Sequence, residues 1–100
     1  MGRRVSEYEK RFREFVEELC RSGLAKEVYL VGSRARGDNT PSSDFDVVLV
    51  VGDDKDLVDA ATKARLLRRK PFPLDIAAIR QCDALDPIYR EMLRDAKKIC

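Results

Sequence analysis

Three strand-like segments constrain the fold of this 100-residue chain most: Glu27–Val31, Asp44–Val51 and Leu74–Ile79. The first connection gathers turn-forming residues between positions 37 and 43, so it predicts an exposed loop and an antiparallel strand pair. A helical pattern separates the second and third segments, which predicts a parallel pair joined by a right-handed crossover. The expected fold class is therefore α/β, with a small mixed sheet of about three strands and flanking helices.

Apolar residues at steps of three and four predict three longer helices. They span Ser6–Cys20, Asp54–Arg69 and Asp86–Lys98. Ser6 suits the N-cap of the first helix, and Gly23 suits its end. Pro71 and Pro73 stop the second helix, and Pro87 lies in the first turn of the third.

The length of the chain favours one domain over residues 1–100. Its longest apolar run, Val47–Val51, is far shorter than the roughly 20 residues of a membrane-spanning helix. Met1–Arg13 is charged throughout and does not resemble a secretory signal. We therefore expect a cytoplasmic protein without a membrane partner.

The absence of histidine restricts the chemistry, because it excludes Ser-His-Asp and Cys-His catalysis and most transition-metal sites. Cys20, Cys82 and Cys100 are widely separated and form no metal-binding spacing, so we expect reduced thiols that are buried or incidental. Catalysis must then depend on carboxylates, hydroxyls, arginines and lysines.

The formal net charge of +2 is too small to predict nucleic-acid binding from overall electrostatics. The chain has two local clusters of basic residues. Acidic residues lie near both clusters, so we interpret the clusters as solvated helix faces. The clusters are Arg3, Arg4, Lys10 and Arg11, and Lys63, Arg65, Arg68, Arg69 and Lys70. A nucleic-acid partner is therefore not expected.

Unusual polar residues occupy three strand ends that the predicted topology brings together. Gly32-Ser33 follows the first strand, Asp44 and Asp46 begin the second, and Asp75 lies near the start of the third. Asp44 and Asp46 are two apart and should share a face of the sheet. Three neighbouring carboxylates repel one another unless cations lie between them, and Mg²⁺ is the natural ligand.

A short helix should start at Gly32-Ser33, where backbone N–H groups can bind a triphosphate with charge from Arg34 or Arg36. Each feature alone has a structural alternative. Gly32-Ser33 can be an ordinary helix cap, and the Asp44/Asp46 pair a solvated strand entry. Asp75 can be a charge that protects a strand edge from aggregation.

Gly32-Ser33, ten intervening residues and Asp44-Phe45-Asp46 together resemble the G-S-x10-D-x-D signature of the DNA polymerase β nucleotidyltransferase superfamily. The string GSRARGDNTPSSDFDVVLV and Asp75 in PLDIAAI are similar to its minimal nucleotidyltransferase branch. The resemblance covers about Val28–Ile79 and implies a polymerase β palm-like fold.

The resemblance implies that the chain binds an NTP, ATP above all, with two Mg²⁺ ions or Mn²⁺. Asp44 and Asp46 would bridge the metals, while Asp75 would hold one and accept the proton of the attacking hydroxyl. In the minimal branch, it implies an antitoxin that transfers AMP to a tyrosine of a HEPN ribonuclease toxin. The alternative is a catalytically weak nucleotide-binding module that neutralises its partner by contact. The sequence leaves open whether the chain forms a homo-oligomer or a hetero-oligomer.

Overall fold

The computed structural model describes residues 7–40 and 43–100 and contains alternating helices and strands. The helices are α1 (Glu7–Ser22), α2 (Ser33–Arg36), α3 (Leu57–Leu66) and α4 (Pro87–Met92), with a 3₁₀ turn at Asp83–Leu85. The strands are β1 (Glu27–Val31), β2 (Phe45–Val51), β3 (Leu74–Arg80) and β4 (Lys97–Lys98). None of the described helices combines the length and apolar character needed to span a membrane.

The strands form one mixed sheet in the order β3-β2-β1-β4. β2 lies antiparallel to β1 and parallel to β3, and α3 provides the crossover between β2 and β3. Both strand directions agree with the prediction from the connection lengths. The α/β class is confirmed, with four strands in place of about three.

One face of the sheet, which we call the core face, holds the larger hydrophobic core. It presents alternate β2 side chains, including Val47 and Leu49, to apolar residues of α1 and α3. Phe12 of α1 stacks on Phe45 with ring centroids 4.4 Å apart, and Phe72 packs edge-on against Phe45 at 5.7 Å. The Phe12/Phe45 and Phe72 contacts fix the beginning of β2 against the helix layer.

The opposite face, which we call the carboxylate face, is covered along part of its length. There Val48, Val50 and Ile79 pack beneath apolar side chains of α4 and its preceding turn. Asp46 and Asp75 continue the same face toward the beginning of β2 and β3, because side chains two apart share a face. Asp75 and Ala77 are exposed, so this end of the face is open to solvent.

The bounds of α3 and α4 differ most from the sequence expectations. The Asp56 carboxylate accepts hydrogen bonds from the N–H groups of Val58 and Asp59, so α3 begins after Asp56 and is shorter than predicted. Asp86 and Pro87 do begin α4 as predicted. Gly23 follows α1 with φ +68°, which suits its predicted role, whereas Ser6 lies outside the described residues.

The predicted continuation of the last helix to Lys98 is wrong. α4 ends at Met92, and the chain then turns to add β4 antiparallel to β1. The N–H of Ile99 donates to the Val28 carbonyl at 2.7 Å, and the Val28 N–H donates to the Cys100 carbonyl at 2.9 Å. Backbone N–H and carbonyl groups at the β1 edge therefore gain hydrogen-bond partners, whereas a longer last helix would leave these groups unpaired.

The expectation of reduced cysteines is wrong for Cys20 and Cys100, and it is confirmed for Cys82. Cys20 and Cys100 form a disulfide across a sequence separation of 80 residues, with Cα atoms 6.1 Å apart. Cys82 is exposed and remains a free thiol. The pairing depends on β4, which brings the end of the described chain beside the last turn of α1, and sequence spacing alone does not reveal this contact.

Candidate active site

The strand register brings two predicted carboxylates and the glycine turn together. Asp46 of β2 pairs with Val31 of β1 on one side and with Asp75 of β3 on the other. Gly32 directly follows Val31, and α2 begins at Ser33. Asp44 lies two residues before Asp46, immediately ahead of β2. The strand end, the two strand starts and the first turn of α2 therefore meet at the open end of the carboxylate face.

Gly32 is required by both backbone conformation and space. Its φ and ψ of +79° and −158° lie in a region that L-residues rarely adopt. A Cβ atom at this position would collide with Asp46 Oδ2 and lie 3.3 Å from Asp46 Cγ. The missing side chain thus allows the Asp46 carboxylate to lie against the turn before α2.

The electrostatics of Asp46 reflect this crowding. Burial, followed by the negative charges of Asp75 and then Asp44, raises the pKa of Asp46 above its ordinary value. Each cause disfavours the ionised carboxylate. A positive charge at this location would therefore relieve both the lost solvation and the repulsion.

The described residues contain no ready-made metal cluster of three or more His, Cys, Asp or Glu side chains. The carboxylates nevertheless interact electrostatically, since Asp44 and Asp75 both act on Asp46. A cation bound between these carboxylates would relieve their repulsion. The oxygen-only donor set suits a hard divalent cation such as Mg²⁺.

Arg34 occupies a different place from the one expected of a phosphate ligand. Its side chain is only 4% exposed, and its guanidinium carbon lies 3.7 Å from the centroid of the Phe45 ring. The guanidinium donates to the carbonyls of Ser43 at 3.0 Å and Thr40 at 3.4 Å. Arg34 thus fastens the loop before β2 to the core, a structural role that sequence reasoning missed.

The remaining predicted phosphate-binding residues lie nearer to solvent. Ser33 begins α2 and is partly exposed. Arg36 is exposed and pairs with Asp38 at 3.3 Å, an ion pair that solvent screens. Of the two arginines predicted to bind phosphate, Arg36 is the one whose guanidinium can turn toward a ligand at small energetic cost, because Arg34 is buried.

Two further residues shape the carboxylate face without having been assigned to the site. Ala77, two residues after Asp75, leaves an exposed small-residue position on β3. The Tyr29 hydroxyl of β1 donates a hydrogen bond to Glu27 at 3.2 Å. Burial, and to a smaller extent the negative charge of Glu27, raises the pKa of Tyr29. The alternation of β3 could have revealed Ala77, whereas the Tyr29 contact required the three-dimensional structure.

The carboxylate site is an open surface, and a separate cavity lies elsewhere. That cavity has a volume of about 300 Å³ and lies beside α1 and the segment after α3. Its lining includes Phe15 of α1, which packs in the larger hydrophobic core, and charged residues of both signs. It contains none of the residues at the convergence of β1, β2 and β3.

Comparisons with known proteins identify the family of this chain. Residues 10–95 match the family described as Nucleotidyltransferase domain. A candidate protein adenylyltransferase from Methanocaldococcus jannaschii is 43% identical over 61 residues, which span 58% of this chain and 61% of that relative.

Two solved structures share the fold. A candidate nucleotidyltransferase from Sulfolobus solfataricus superposes with a TM-score of 0.63 and 25% identity over 98% of this chain and 89% of its own. A toxin–antitoxin structure with AMP-PNP gives 0.55 and 21% identity, over 84% and 68% respectively.

Proposed function

Because this chain belongs to the nucleotidyltransferase domain family and is an enzyme of the transferase class, we propose that it transfers AMP from ATP to a hydroxyl of a partner protein. The observation that carries the proposal is the register of Asp46 with Asp75 beside Gly32. This convergence joins the two halves of the sequence signature with a third carboxylate at an open surface.

The carboxylates have the chemistry needed to hold divalent cations. Asp44, Asp46 and Asp75 would hold two Mg²⁺ ions, or Mn²⁺, which would compensate the burial and the repulsion that together raise the pKa of Asp46. When bound, these ions supply charge stabilisation for the attacking and leaving oxygens of an in-line displacement.

The chain's own groups orient the nucleotide. Gly32 permits close approach of a phosphate to the backbone, and Ser33 supplies a hydroxyl. Arg36 supplies a mobile positive charge, while Arg34 maintains the loop that presents Asp44. This division of roles revises the sequence expectation for Arg34 without altering the proposed nucleotide location.

The reaction is a substitution at the α-phosphorus. The acceptor oxygen forms a bond to that phosphorus, and the bond from the phosphorus to the oxygen bridging the β-phosphate breaks. Pyrophosphate leaves, and the acceptor proton passes to the Asp75 carboxylate, which is exposed on the same face as Asp46. Oxidation states do not change.

The acceptor assignment has support from two relatives. One is named as a candidate protein adenylyltransferase, and another solved structure of this fold is a toxin–antitoxin structure with AMP-PNP. The sequence resemblance to the minimal branch adds a HEPN-domain protein and a tyrosine hydroxyl. We propose that such a partner is encoded nearby and that the reaction occurs in the cytoplasm.

Intact-mass spectrometry tests the proposal directly. The chain is incubated with the neighbouring gene product, Mg²⁺ and each NTP in turn, and both polypeptides are weighed. A gain of AMP units on the partner should disappear in Asp46→Asn and persist in Asp59→Asn, whose exposed carboxylate pairs with Lys63 away from the site. Tight association without any mass gain would instead identify a contact-only module.

A further inference from the structure

We propose that the acceptor polypeptide binds as an added strand on the outer edge of β3, with a tyrosine opposite Ala77. This inference rests on the proposed transfer to a protein and specifies how that protein is recognised. It depends on the free edge of β3, its contrast with β4, and the exposed Asp75 and Ala77 side chains.

β3 is a seven-residue edge strand, and within residues 7–40 and 43–100 no strand pairs with its outer side. At its ends, Phe45 N–H donates to the Pro73 carbonyl and Gln81 N–H donates to the Val51 carbonyl. In a parallel ladder the bonded residues alternate. Ile76 and Ala78 therefore direct their backbone N–H and carbonyl groups away from β2, where another chain can bind them.

The other edge of the sheet has features that oppose such pairing. β4 is two residues long, both are lysines, and Cys100 of the disulfide follows closely. Short strands and lysines are common protections against edge-to-edge association. Within β3, the run from Ile76 to Ile79 contains neither charge nor proline. The sheet thus protects one edge and leaves the edge beside Asp75 available.

The carboxylate face gives the added strand a preferred register. Asp75 and Ala77 are exposed on β3, while Ile79 is covered by α4 and its preceding turn. A neighbouring strand would lie about 4.8 Å away, with its alternate side chains on the same face. In an antiparallel pair, an aromatic side chain reaches a diagonal neighbour about 7 to 8 Å away. A tyrosine opposite Ala77 could therefore extend over this small residue toward Asp75.

The register places the nucleophile where the transfer requires it. The tyrosine oxygen would form the bond to the α-phosphorus, pyrophosphate would leave, and Asp75 would receive the phenolic proton. Backbone pairing would position the acceptor, and the side-chain register would select its hydroxyl. The proposed acceptor is therefore an extended tyrosine-containing segment, not a free nucleoside, sugar or folded helix face.

The experiment uses the partner protein modified in the intact-mass assay and an eleven-residue synthetic peptide centred on its modified tyrosine. Two peptide variants carry N-methyl groups on alternate residues, and their positions differ by one residue. The variant methylated on the side facing β3 should lose at least tenfold in kcat/KM, whereas the shifted variant should retain transfer. Hydrogen exchange at the Ile76 and Ala78 amides should slow at least tenfold when the unmodified peptide binds.

Variants of the chain provide an independent measurement. Ala77→Leu should raise the KM for the peptide at least fivefold with little change in the KM for ATP, because it fills space beneath the acceptor ring. Thr62→Leu is the control, since it adds an apolar side chain at an exposed position of α3, away from β3, and it should leave the peptide KM within about twofold.

The experiments distinguish a failure of strand addition from a failure of the proposed AMP transfer. AMP transfer with equal activity of both methylated peptides and unchanged exchange at Ile76 and Ala78 would overturn strand addition but leave the proposed function standing. Concentration-dependent protection of these amides without the peptide would show that a second copy covers the edge, and would also overturn the inference. Absence of transfer to any protein would reject both proposals.

Discussion

Replacing Gly32 with alanine should disturb catalysis more than an equivalent replacement at Gly37. The two positions have φ values of +79° and +86°, so both substitutions place an L-residue in an unfavourable backbone region. At Gly37 a Cβ has no heavy atom within 4 Å, whereas at Gly32 it collides with the Asp46 carboxylate. The pair therefore compares a substitution that adds backbone strain alone with one that also displaces a site residue.

The expected magnitudes follow from this difference. Gly37→Ala should cost about 1 kcal/mol, the order expected for a left-handed residue. Gly32→Ala should cost about 2 to 3 kcal/mol, because its conformation is still less favourable and Asp46 must move. Relief of the collision requires a shift of about 1 Å, and a misplacement of that size can lower a catalytic rate about 100-fold.

Urea denaturation gives the free energies of unfolding, and the intact-mass assay gives the transfer rate at a temperature where both variants are folded. Gly37→Ala should retain at least a third of the wild-type rate. A Gly32→Ala rate within threefold of Gly37→Ala would refute the argument that close approach of the turn to Asp46 is needed for transfer.

Arg34→Ala should lower the free energy of unfolding by about 3 kcal/mol because it leaves the loop carbonyls without their charged donor. Arg36→Ala should lower the free energy of unfolding by under about 0.5 kcal/mol but weaken ATP binding. Urea denaturation measures the stability of both variants, and calorimetry measures ATP binding. Because the folded-state pKa of Asp46 is raised, its contribution to stability decreases as pH rises from its unfolded value through the folded value. In EDTA, Asp46→Asn should flatten this dependence and gain stability relative to wild type at pH 7; equal pH slopes would contradict the assignment. With Mg²⁺ present, the same variant should lose transfer. Reducing the disulfide, or replacing Cys20 and Cys100 with serine, should cost about 3 to 4 kcal/mol in urea denaturation, with no effect expected from Cys82→Ser.

The strand order and the meeting of the signature residues could be predicted because local patterns determined them. The short loop required β1 and β2 to be antiparallel, and the helical connection required β2 and β3 to be parallel. Those two directions are sufficient to bring Gly32, Asp46 and Asp75 to one end of the sheet. The family signature then gave this convergence a chemical interpretation.

The errors arose where distant groups competed with local preference. The periodicity after Asp86 favoured a long helix, but pairing with the β1 edge and the disulfide favours a strand near Lys98. Arg34 lies within the signature segment, yet the Phe45 ring and the loop carbonyls surround its guanidinium. Neither partner set can be deduced from periodicity, because each depends on packing between separate elements.

The bond between Cys20 and Cys100 has a topological consequence for the assembled enzyme. It closes a covalent ring that contains β1, β2, β3 and every proposed site residue. A single proteolytic cut at Asp53 or Asp54, which are exposed, would open this ring without releasing a fragment. Nicked protein should therefore migrate as one species until a reductant is added, and its two pieces could remain paired in the sheet.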